Sequence, residues 1–400
     1  MEPSSFIYKN NGGVTMKKFL ILLLVVFLVM GSLVACSSQQ GSGEGEEPEG
    51  NGEKEDTPGE LKKVTYVFPR TLEVLEDTPF WVAKNLGYWE EEGLDVTLDQ
   101  AFGTTDIKMV ATGAADFAGP GTSIILAGIE EDLPIKVVSA YDSINIWGMC
   151  VPKDSKVQSW DDMKDAQGKY GKKLTVALGD AAWEMLVAPT IEAAGVDLEK
   201  DIEFVVAGEN RYIQVDEGKI DMLFSWPGEA WQLMGQGFEF NYIDGNDVLK
   251  TCSNSIVANT KMIEEEPEIV EAFVRGLAKG MLFTKLNPEA GAAVVCKQFP
   301  AIDVTWKAAT FVQMGRAYQM FGPEGGEEEA TLLEKIGFLF EDKWKLVMDT
   351  TVSSGVIKEA IPLDKVITND FVDLTWDRKQ VEEDAKNHDI DSIKSKYKAE

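Results

Sequence analysis

Histidine and cysteine are scarce in this 400-residue chain, which has one histidine and four cysteines. The histidine, His388, lies in a charged C-terminal region, and no Cys-x-x-Cys or Cys/His spacing typical of a metal site occurs. The Gly-x-Ser-x-Gly, His-Glu-x-x-His and P-loop patterns are also missing. These absences argue against an enzyme and predict neither a metal nor a cofactor.

Basic residues are also few, with 38 Lys and Arg against 68 Asp and Glu, which gives a formal net charge of −30. Such a chain lacks the cations that bind nucleic acid phosphates, so a nucleic acid partner is not expected. The hydrophobic content of 44%, with 10 Trp and 19 Phe, is typical of a well-packed globular protein. The length favours two domains.

The N-terminal region has the features of an export signal. Met16-Lys17-Lys18 is basic, and the apolar run 19–30 that follows is too short for a comfortable membrane span. "LVAC" (33–36) resembles a bacterial lipobox, so we expect Cys36 to be lipidated and to anchor the protein on the outer face of the cell membrane. An ordinary signal peptide or a short anchor is the alternative. Residues 1–15 precede Met16, which is a plausible start.

The segment after this cysteine has almost nothing to bury. Residues 41–60 contain eight acids and one lysine among Gly, Ser and Pro. We expect residues 36–61 to form a disordered acidic tether between the membrane and a folded part. Three further cysteines, Cys150, Cys252 and Cys296, leave at least one thiol unpaired.

From Leu61 onward, strand-like and helix-like segments alternate, which predicts an α/β protein. "KVTYVF" (63–68) and "LDVTL" (94–98) predict strands, and residues 78–93 predict a helix with Thr78 as N-cap and Gly93 as terminator. A second series of strands and helices begins near Ser159. From Pro267 the pattern is helical, with a strongly amphipathic first segment.

Two stretches resemble each other, one in each series. "GAADFAGPG" (113–121) and "GKIDMLFSWPG" (218–228) both contain Gly-x-x-Asp, an apolar strand, Pro-Gly and the start of a helix. This predicts two related lobes. Since ligands of open α/β sheets bind beyond the carboxyl ends of strands, Trp226 and Glu229 are candidate ligand contacts. Trp231 is expected to point elsewhere, toward a core.

Several longer stretches together resemble a known family. These are "PFWVAKNLGYWEEEGLDVTL", "MVATGAADFAGPGTSIILA", "LPIKVVSAY", "SWDDMK", "EGKIDMLFSWPGEAWQLMGQG" and "EEPEIVEAFVRGLAKGMLFTKLNPEAG". In this order they are similar to the solute-binding proteins of nitrate/sulfonate/taurine and thiamine-pyrimidine-precursor ABC importers, the NMT1-like family. The resemblance covers residues 63–300 and, more loosely, 366–376.

The resemblance implies a two-lobed periplasmic-binding-protein-like fold of type II, with a helical C-terminal portion. We expect upstream residues and a signal peptide at 1–35, lobe 1 at 62–147 and 251–376, lobe 2 at 148–250, and a charged tail at 377–400. The implied function is extracytoplasmic capture of a small molecule and its delivery to an ABC permease and its ATPase. We expect a monomer.

The resemblance also implies where the ligand contacts lie. They are expected in the loops after the strands and at the starts of the following helices, at Phe80, Trp81, Gly121, Thr122, Ser123, Trp147, Trp183, Trp226 and Glu229. Each has a purely structural alternative. Thr122 and Ser123 can serve as N-caps, Phe80 and Trp81 face different directions on a helix, and Glu229 suits any first helical turn.

The class of ligand is open between two readings. Helix N-termini that converge on a cleft favour an anion such as a sulfonate, taurine or nitrate. The side chains near those termini favour a neutral or cationic heteroaromatic instead. Asp180, Glu184 and Glu229 would repel an anion, and only Arg70 and Arg211 are obvious cationic candidates to bind one. We favour a pyrimidine precursor of thiamine or another vitamin-like molecule such as a flavin. A sensor that presents its ligand to a membrane receptor is a further alternative.

Overall fold

The computed structural model describes residues 60–102 and 104–398. The predicted signal peptide, the lipidation site Cys36 and nearly all of the acidic tether lie outside these residues. Within the described part, no helix combines the length and apolarity that a bilayer crossing requires.

The described residues contain ten strands in two five-stranded sheets. They are β1 (Lys62–Phe68), β2 (Leu94–Gln100), β3 (Phe117–Ala118), β4 (Ile135–Ala140), β5 (Gly148–Pro152), β6 (Leu174–Leu178), β7 (Ile202–Val206), β8 (Met222–Ser225), β9 (Phe240–Ile243) and β10 (Ser255–Asn259). The first sheet has the order β2-β1-β3-β10-β4 and the second β7-β6-β8-β5-β9. We call the two sheets with their helices lobe 1 and lobe 2. In each, the fourth strand in this order runs antiparallel to its neighbours. The mixed α/β architecture predicted from the alternating pattern is confirmed.

Nineteen α-helices pack around these sheets in the described part. They are α1 (Thr78–Asn85), α2 (Tyr88–Glu91), α3 (Thr105–Thr112), α4 (Thr122–Glu130), α5 (Trp160–Met163), α6 (Ala166–Tyr170), α7 (Glu184–Ala193), α8 (Leu198–Asp201), α9 (Arg211–Asp216), α10 (Pro227–Gly235), α11 (Thr260–Glu265), α12 (Pro267–Leu286), α13 (Pro288–Gln298), α14 (Trp306–Phe321), α15 (Glu327–Glu334), α16 (Glu341–Ser353), α17 (Leu363–Val366), α18 (Lys379–Asn387) and α19 (Asp391–Lys394). The helical C-terminal portion expected from the sequence thus begins after β10.

The two similar sequence stretches have the same structural role in their lobes. Asp116, just before β3, accepts a hydrogen bond from the backbone N–H of Thr65 on the parallel neighbour β1, at 2.7 Å. Asp221, just before β8, accepts one from the backbone N–H of Thr175 on the parallel neighbour β6, at 2.9 Å. In both lobes the strand then leads directly into a helix, α4 or α10. The Gly-x-x-Asp repeat therefore aligns two equivalent strand pairs.

The chain passes between the sheets twice, through residues 141–147 and 244–254. A third link is helix packing, because α14, which follows lobe 1 in the chain, packs closely against α10 of lobe 2. A Cβ atom at Gly315 of α14 would lie 2.6 Å from the Pro227 carbonyl oxygen and 2.8 Å from the Gly228 Cα. Only glycine fits at this crossing, and the crossing fixes where α10 begins.

Two details differ from the sequence-based expectations. The segment 78–93 forms two helices, α1 and α2, because Gly87 adopts a left-handed conformation with φ = 83°. Helix α1 already begins at Thr78, so the N-cap position belongs to Asp77. The expected charged tail forms α18 and α19, whose apolar side chains Val381, Ala385 and Ile393 are buried.

The glycine crossing gives a prediction about stability. Gly315→Ala should destabilise the protein by roughly 1–3 kcal/mol, because the added methyl group meets backbone atoms of α10 that cannot move aside. Gly168 on α6 is the matched control, since its Cβ would meet nothing within 4 Å. Gly168→Ala should stabilise by about 0.5–1 kcal/mol through helix propensity alone. Urea unfolding of both variants measures the difference, and equal effects would contradict the close crossing.

Candidate ligand-binding site

The lobes meet at the loop that joins β3 to α4. Gly121 lies so close to lobe 2 that a Cβ atom there would be 2.4 Å from Leu186 Cδ2 on α7 and 3.4 Å from Trp147 Cζ2. Thr122 and Ser123 begin α4 and are buried at the same place, and neither side chain caps the helix. The loop is therefore a contact surface between the lobes.

A cluster of aromatic rings lies at the carboxyl ends of β6 and β8 and at the end of the first connection between the sheets. We call it the aromatic wall: Trp147, Trp183, Phe224 and Trp226. The rings of Trp183 and Trp226 pack edge to face, with centroids 5.6 Å apart and planes at 77°. Phe224 lies between them and Trp147, with centroids 5.9 Å from Trp183 and 5.5 Å from Trp147. Such a wall suits a flat apolar ring as its ligand.

A buried ion pair lies behind the aromatic wall. Nη2 of Arg211 is 2.6 Å from both carboxylate oxygens of Glu229, and the Ser225 hydroxyl donates to the same carboxylate at 2.8 Å. The guanidinium carbon is 4.8 Å from the Trp183 ring centroid and 5.8 Å from that of Trp226. Neither charge of the pair is free to bind a ligand ion.

One hydrogen bond joins the aromatic wall to lobe 1. Nε1 of Trp226 donates to a carboxylate oxygen of Glu76, which lies in a short helical turn between β1 and α1, at 2.5 Å. The approach depends on Gly228, because a Cβ atom there would be 2.6 Å from Glu76 Oε1. The indole N–H of one lobe thus reaches a buried carboxylate of the other.

Lobe 1 and α14 surround this carboxylate with further buried charges. The guanidinium of Arg316 contacts the Asp142 carboxylate and lies 3.6 Å from Glu76 Oε1. It also stacks on the Tyr141 ring, with its carbon 4.0 Å from the ring centroid. Asp77, next to Glu76, pairs with Arg70 in the same way. We call Glu76, Asp77, Tyr141, Asp142, Arg316 and Gln319 the polar floor.

Several atoms of the polar floor have no hydrogen-bond partner among the described residues. They are Asp77 Oδ2, Tyr141 Oη, Arg316 Nε and both amide atoms of Gln319. All four residues are at most 3% exposed. Since unpaired buried polar atoms are costly, their concentration between the lobes indicates a place where water or a ligand supplies the missing hydrogen bonds.

The buried charges at and beside the interface of the lobes nearly balance. The carboxylates are Glu76, Asp77, Asp142 and Glu229, and the guanidiniums are Arg70, Arg211 and Arg316, each in contact with a carboxylate. Burial raises the pKa of Asp77 to about 6, although Arg70 opposes the rise. Burial also raises the pKa of Glu229 above its usual value, against the effect of Arg211. Each guanidinium in this set thus has its charge compensated by a carboxylate.

The structure brings some of the expected contact residues together and separates others. Gly121, Thr122, Ser123, Trp147 and Trp226 lie where the lobes meet, while Trp183 packs on Trp226 and Glu229 pairs with Arg211 within lobe 2. Phe80 is fully buried in lobe 1 against Tyr66 and Phe68, and Trp81 packs edge to face on Phe299. Helix α1 turns both rings into the core of lobe 1, where Phe80 also packs on Tyr141 at 5.0 Å between centroids. Their role as ligand contacts stays a prediction.

Sequence reasoning missed the polar floor. Glu76 and Asp77 directly precede a predicted helix, where acids are ordinary and carry no functional signal. Arg316 and Gln319 lie on α14, outside the range that resembles the family. Arg211 was a candidate cation, but its pairing with Glu229 joins residues 18 positions apart and is visible only in three dimensions.

A separate open concavity of about 710 Å³ lies beside the other face of α10. Its lining includes Trp231, Tyr242, Asp244 and Tyr318. Trp231 is half-buried, with its ring centroid 5.6 Å from that of Tyr318. Trp231 thus points away from the aromatic wall, as expected, although it faces this concavity instead of a closed core.

The bond between Trp226 and Glu76 gives a prediction about lobe closure. Trp226→Phe keeps an aromatic ring but removes the N–H donor, leaving a buried carboxylate short of one bond at a cost of roughly 1–3 kcal/mol. We expect the lobes to open about the two connections, which would raise the radius of gyration in small-angle scattering.

Trp306→Phe is the matched control for this experiment. Trp306 also donates its Nε1 hydrogen to a glutamate, Glu289, at 2.9 Å, but both residues belong to the helices α13 and α14. This variant should scatter like the wild type. A Trp226→Phe protein with an unchanged radius would show that the bond does not hold the lobes together.

Known proteins of similar sequence include solute-binding proteins and one synthase. The model of the family described as NMT1/THI5 like matches residues 75–291. The riboflavin-binding protein RibY of Chloroflexus aurantiacus is 25% identical over 74% of this chain and 83% of its own length. The formylaminopyrimidine-binding protein of Halalkalibacterium halodurans is 25% identical over 68% of this chain and 86% of its own length. A more distant relative, at 21% identity over 56% of this chain and 70% of its own length, is the 4-amino-5-hydroxymethyl-2-methylpyrimidine phosphate synthase of Legionella pneumophila.

Solved structures show the same fold. The ligand-binding component of an ABC-type import system from Staphylococcus aureus aligns with a TM-score of 0.57 at 9% identity, over 80% of this chain and all of that one. The periplasmic aliphatic sulphonate binding protein SsuA of Escherichia coli aligns with a TM-score of 0.54 at 12% identity, over 77% of this chain and 92% of that one. At such identities the likeness shows the fold alone. The chain belongs to the NMT1/THI5-like family and has the two-sheet α/β fold of ABC-type solute-binding proteins.

Proposed function

We propose that this protein is the extracytoplasmic solute-binding component of an ABC importer. It captures a flat, neutral or cationic heteroaromatic molecule between its lobes and delivers it to a membrane permease. The observation that carries this proposal is the aromatic wall joined to the polar floor, beside three guanidiniums that each already contact a carboxylate.

The charge arrangement supports a heteroaromatic ligand over a sulfonate. A sulfonate or nitrate bound between the lobes would lie near the carboxylates of Glu76, Asp77 and Asp142, while each of the three guanidiniums already contacts a carboxylate. Repulsion and desolvation would then oppose binding. A heterocycle with ring nitrogens and amino or carbonyl groups can stack on the indoles and also supply partners to Asp77, Tyr141 and Gln319. The names of two relatives, for riboflavin and for formylaminopyrimidine, agree with this class of ligand.

The cysteine and histidine environments support binding instead of catalysis. Burial raises the pKa of the Cys150 and Cys252 thiols to about 12 and that of Cys296 to about 11, so these thiols stay protonated and unreactive. His388 packs edge to face against Phe283, far along the chain from the aromatic wall, and burial lowers its pKa. We therefore propose a non-catalytic role, despite the distant relative that is a synthase.

A thermal-shift experiment with three compounds tests the ligand class. Riboflavin or formylaminopyrimidine should raise the melting temperature, since a ligand at a hundredfold excess over Kd stabilises by about 2.7 kcal/mol. Taurine should have no effect. Stabilisation by taurine alone would replace the heteroaromatic proposal with the anion alternative.

Two tryptophan variants locate the ligand in the same experiment. Trp226→Ala should weaken binding of the stabilising compound by roughly 1–3 kcal/mol, by analogy with base–aromatic stacking. Trp231→Ala should leave the affinity unchanged, because its ring faces the concavity on the other side of α10. Isothermal titration measures both. The reverse pattern would place the ligand in that concavity.

We also propose that Cys36 carries the lipid that holds the protein on the outer face of the membrane. Acyl chains contribute about 0.8 kcal/mol per buried CH₂, and stable anchoring needs two signals. Cys36→Ala should therefore release the protein from the membrane fraction or leave its signal uncleaved. Cys252→Ala is the control, since that thiol is buried in the folded part. A Cys36→Ala protein that is processed and membrane-bound like the wild type would exclude lipid anchoring.

A further inference from the structure

The Arg211 side chain is fully buried, so a ligand ion in solvent cannot reach its charge. Its guanidinium lies under the ring of Trp183 and near that of Trp226, with centroid distances of 4.8 and 5.8 Å. Its side chain is 1% exposed, and that of its partner Glu229 is 18% exposed. The guanidinium is therefore shielded from solvent and packs against both indoles.

Three elements hold this pair in place. Arg211 is the first residue of α9, Glu229 lies in the first turn of α10, and Ser225 ends β8. The Ser225 hydroxyl bonds Glu229 at 2.8 Å, and Nη2 of Arg211 lies 3.5 Å from the Phe224 carbonyl oxygen. The position of the guanidinium is thus set by the strand and helices that form lobe 2.

Trp183, in contrast, has little local support. It lies in the short turn Ala181–Trp183, none of whose residues is buried. Its ring packs onto the backbone at Gly179, where a Cβ atom would be 2.5 Å from Cη2 of the indole. The other contacts that orient this ring are Phe224, Trp226 and the Arg211 guanidinium.

A buried ion pair is an expensive way to gain stability, because both charges lose their hydration, and apolar residues often stabilise as well or better. A planar guanidinium, however, stacks on an indole face and fixes its orientation in a way that an apolar side chain does not. We propose that the Arg211–Glu229 pair is a positioning device that sets the edge-to-face geometry of Trp183 and Trp226 for the ligand. The proposal deepens the function proposed above. Only the test by riboflavin binding rests on that function, and the test by circular dichroism does not.

Circular dichroism tests the geometry without any ligand. Two indoles in contact at a large angle give an exciton-split band, which is isolated as the difference between the wild type and Trp183→Phe. Arg211→Lys keeps the charge but loses the planar stack, so this difference signal should disappear in the Arg211→Lys background. Glu229→Gln and Ser225→Ala, which loosen the pair without removing the guanidinium, should reduce it. These two variants also decide the question if Arg211→Lys does not fold.

The binding arm uses riboflavin as the probe. Arg211→Lys should weaken riboflavin binding about tenfold, which corresponds to about 1.4 kcal/mol. Arg275→Lys is the matched control, because Arg275 pairs with Glu92 and Asp373 at 2.9 and 2.8 Å on the other lobe. This control should lower stability and leave both the difference signal and the affinity unchanged.

The outcomes separate the positioning role from the proposed function. An unchanged difference signal in folded Arg211→Lys, Glu229→Gln and Ser225→Ala overturns the positioning role, whatever happens to binding. A lost signal with wild-type riboflavin affinity overturns it too, since the geometry would then not serve the ligand. If the wild type binds no heteroaromatic probe, the function proposed above fails, and the difference signal alone decides whether the pair orients the indoles.

Discussion

The interface between the lobes depends on charge compensation. A guanidinium without water or a partner is strongly destabilising, so each buried arginine needs a carboxylate held at the right place. In this protein the partners come from different elements, and each pair joins segments that are distant along the chain or on opposite sides of a turn. The pairs are Arg70 with Asp77, Arg211 with Glu229, and Arg316 with Asp142.

This compensation has a consequence for recognition. A binding site that neutralises its own cations offers a ligand stacking surfaces and neutral hydrogen-bond partners but no net positive charge. Shape and hydrogen-bond pattern then discriminate between ligands, because a missing or extra polar group leaves a buried atom such as Gln319 Oε1 unpaired. Selectivity would come from the polar floor, while the indoles of Trp183 and Trp226 would supply affinity for any flat ring.

The sequence predicts the architecture well because its signals are local. The alternation along β2, the Pro-Gly steps after β3 and β8, and the amphipathic α12 are each readable within a few residues. The candidate site is less predictable. The position of Trp226 follows from the rule that ligands bind beyond strand ends, but the role of Glu229 depends on Arg211. The burial of Phe80 is not readable from the sequence, because adjacency on a helix does not show which face is buried. Arg316 and Gln319 come from a helix with no motif.

The equivalent aspartates also bear on how such a protein can diverge. Asp116 and Asp221 bond neighbouring strands in the same way, yet the residues between strand and helix differ, Gly119 to Gly121 in lobe 1 and Trp226 in lobe 2. The part of each repeat that determines folding is therefore separate from the part that faces the other lobe. Substitutions at the second part can change the surface that each lobe presents to the other while the strand alignment persists, so this short junction can vary without loss of the fold.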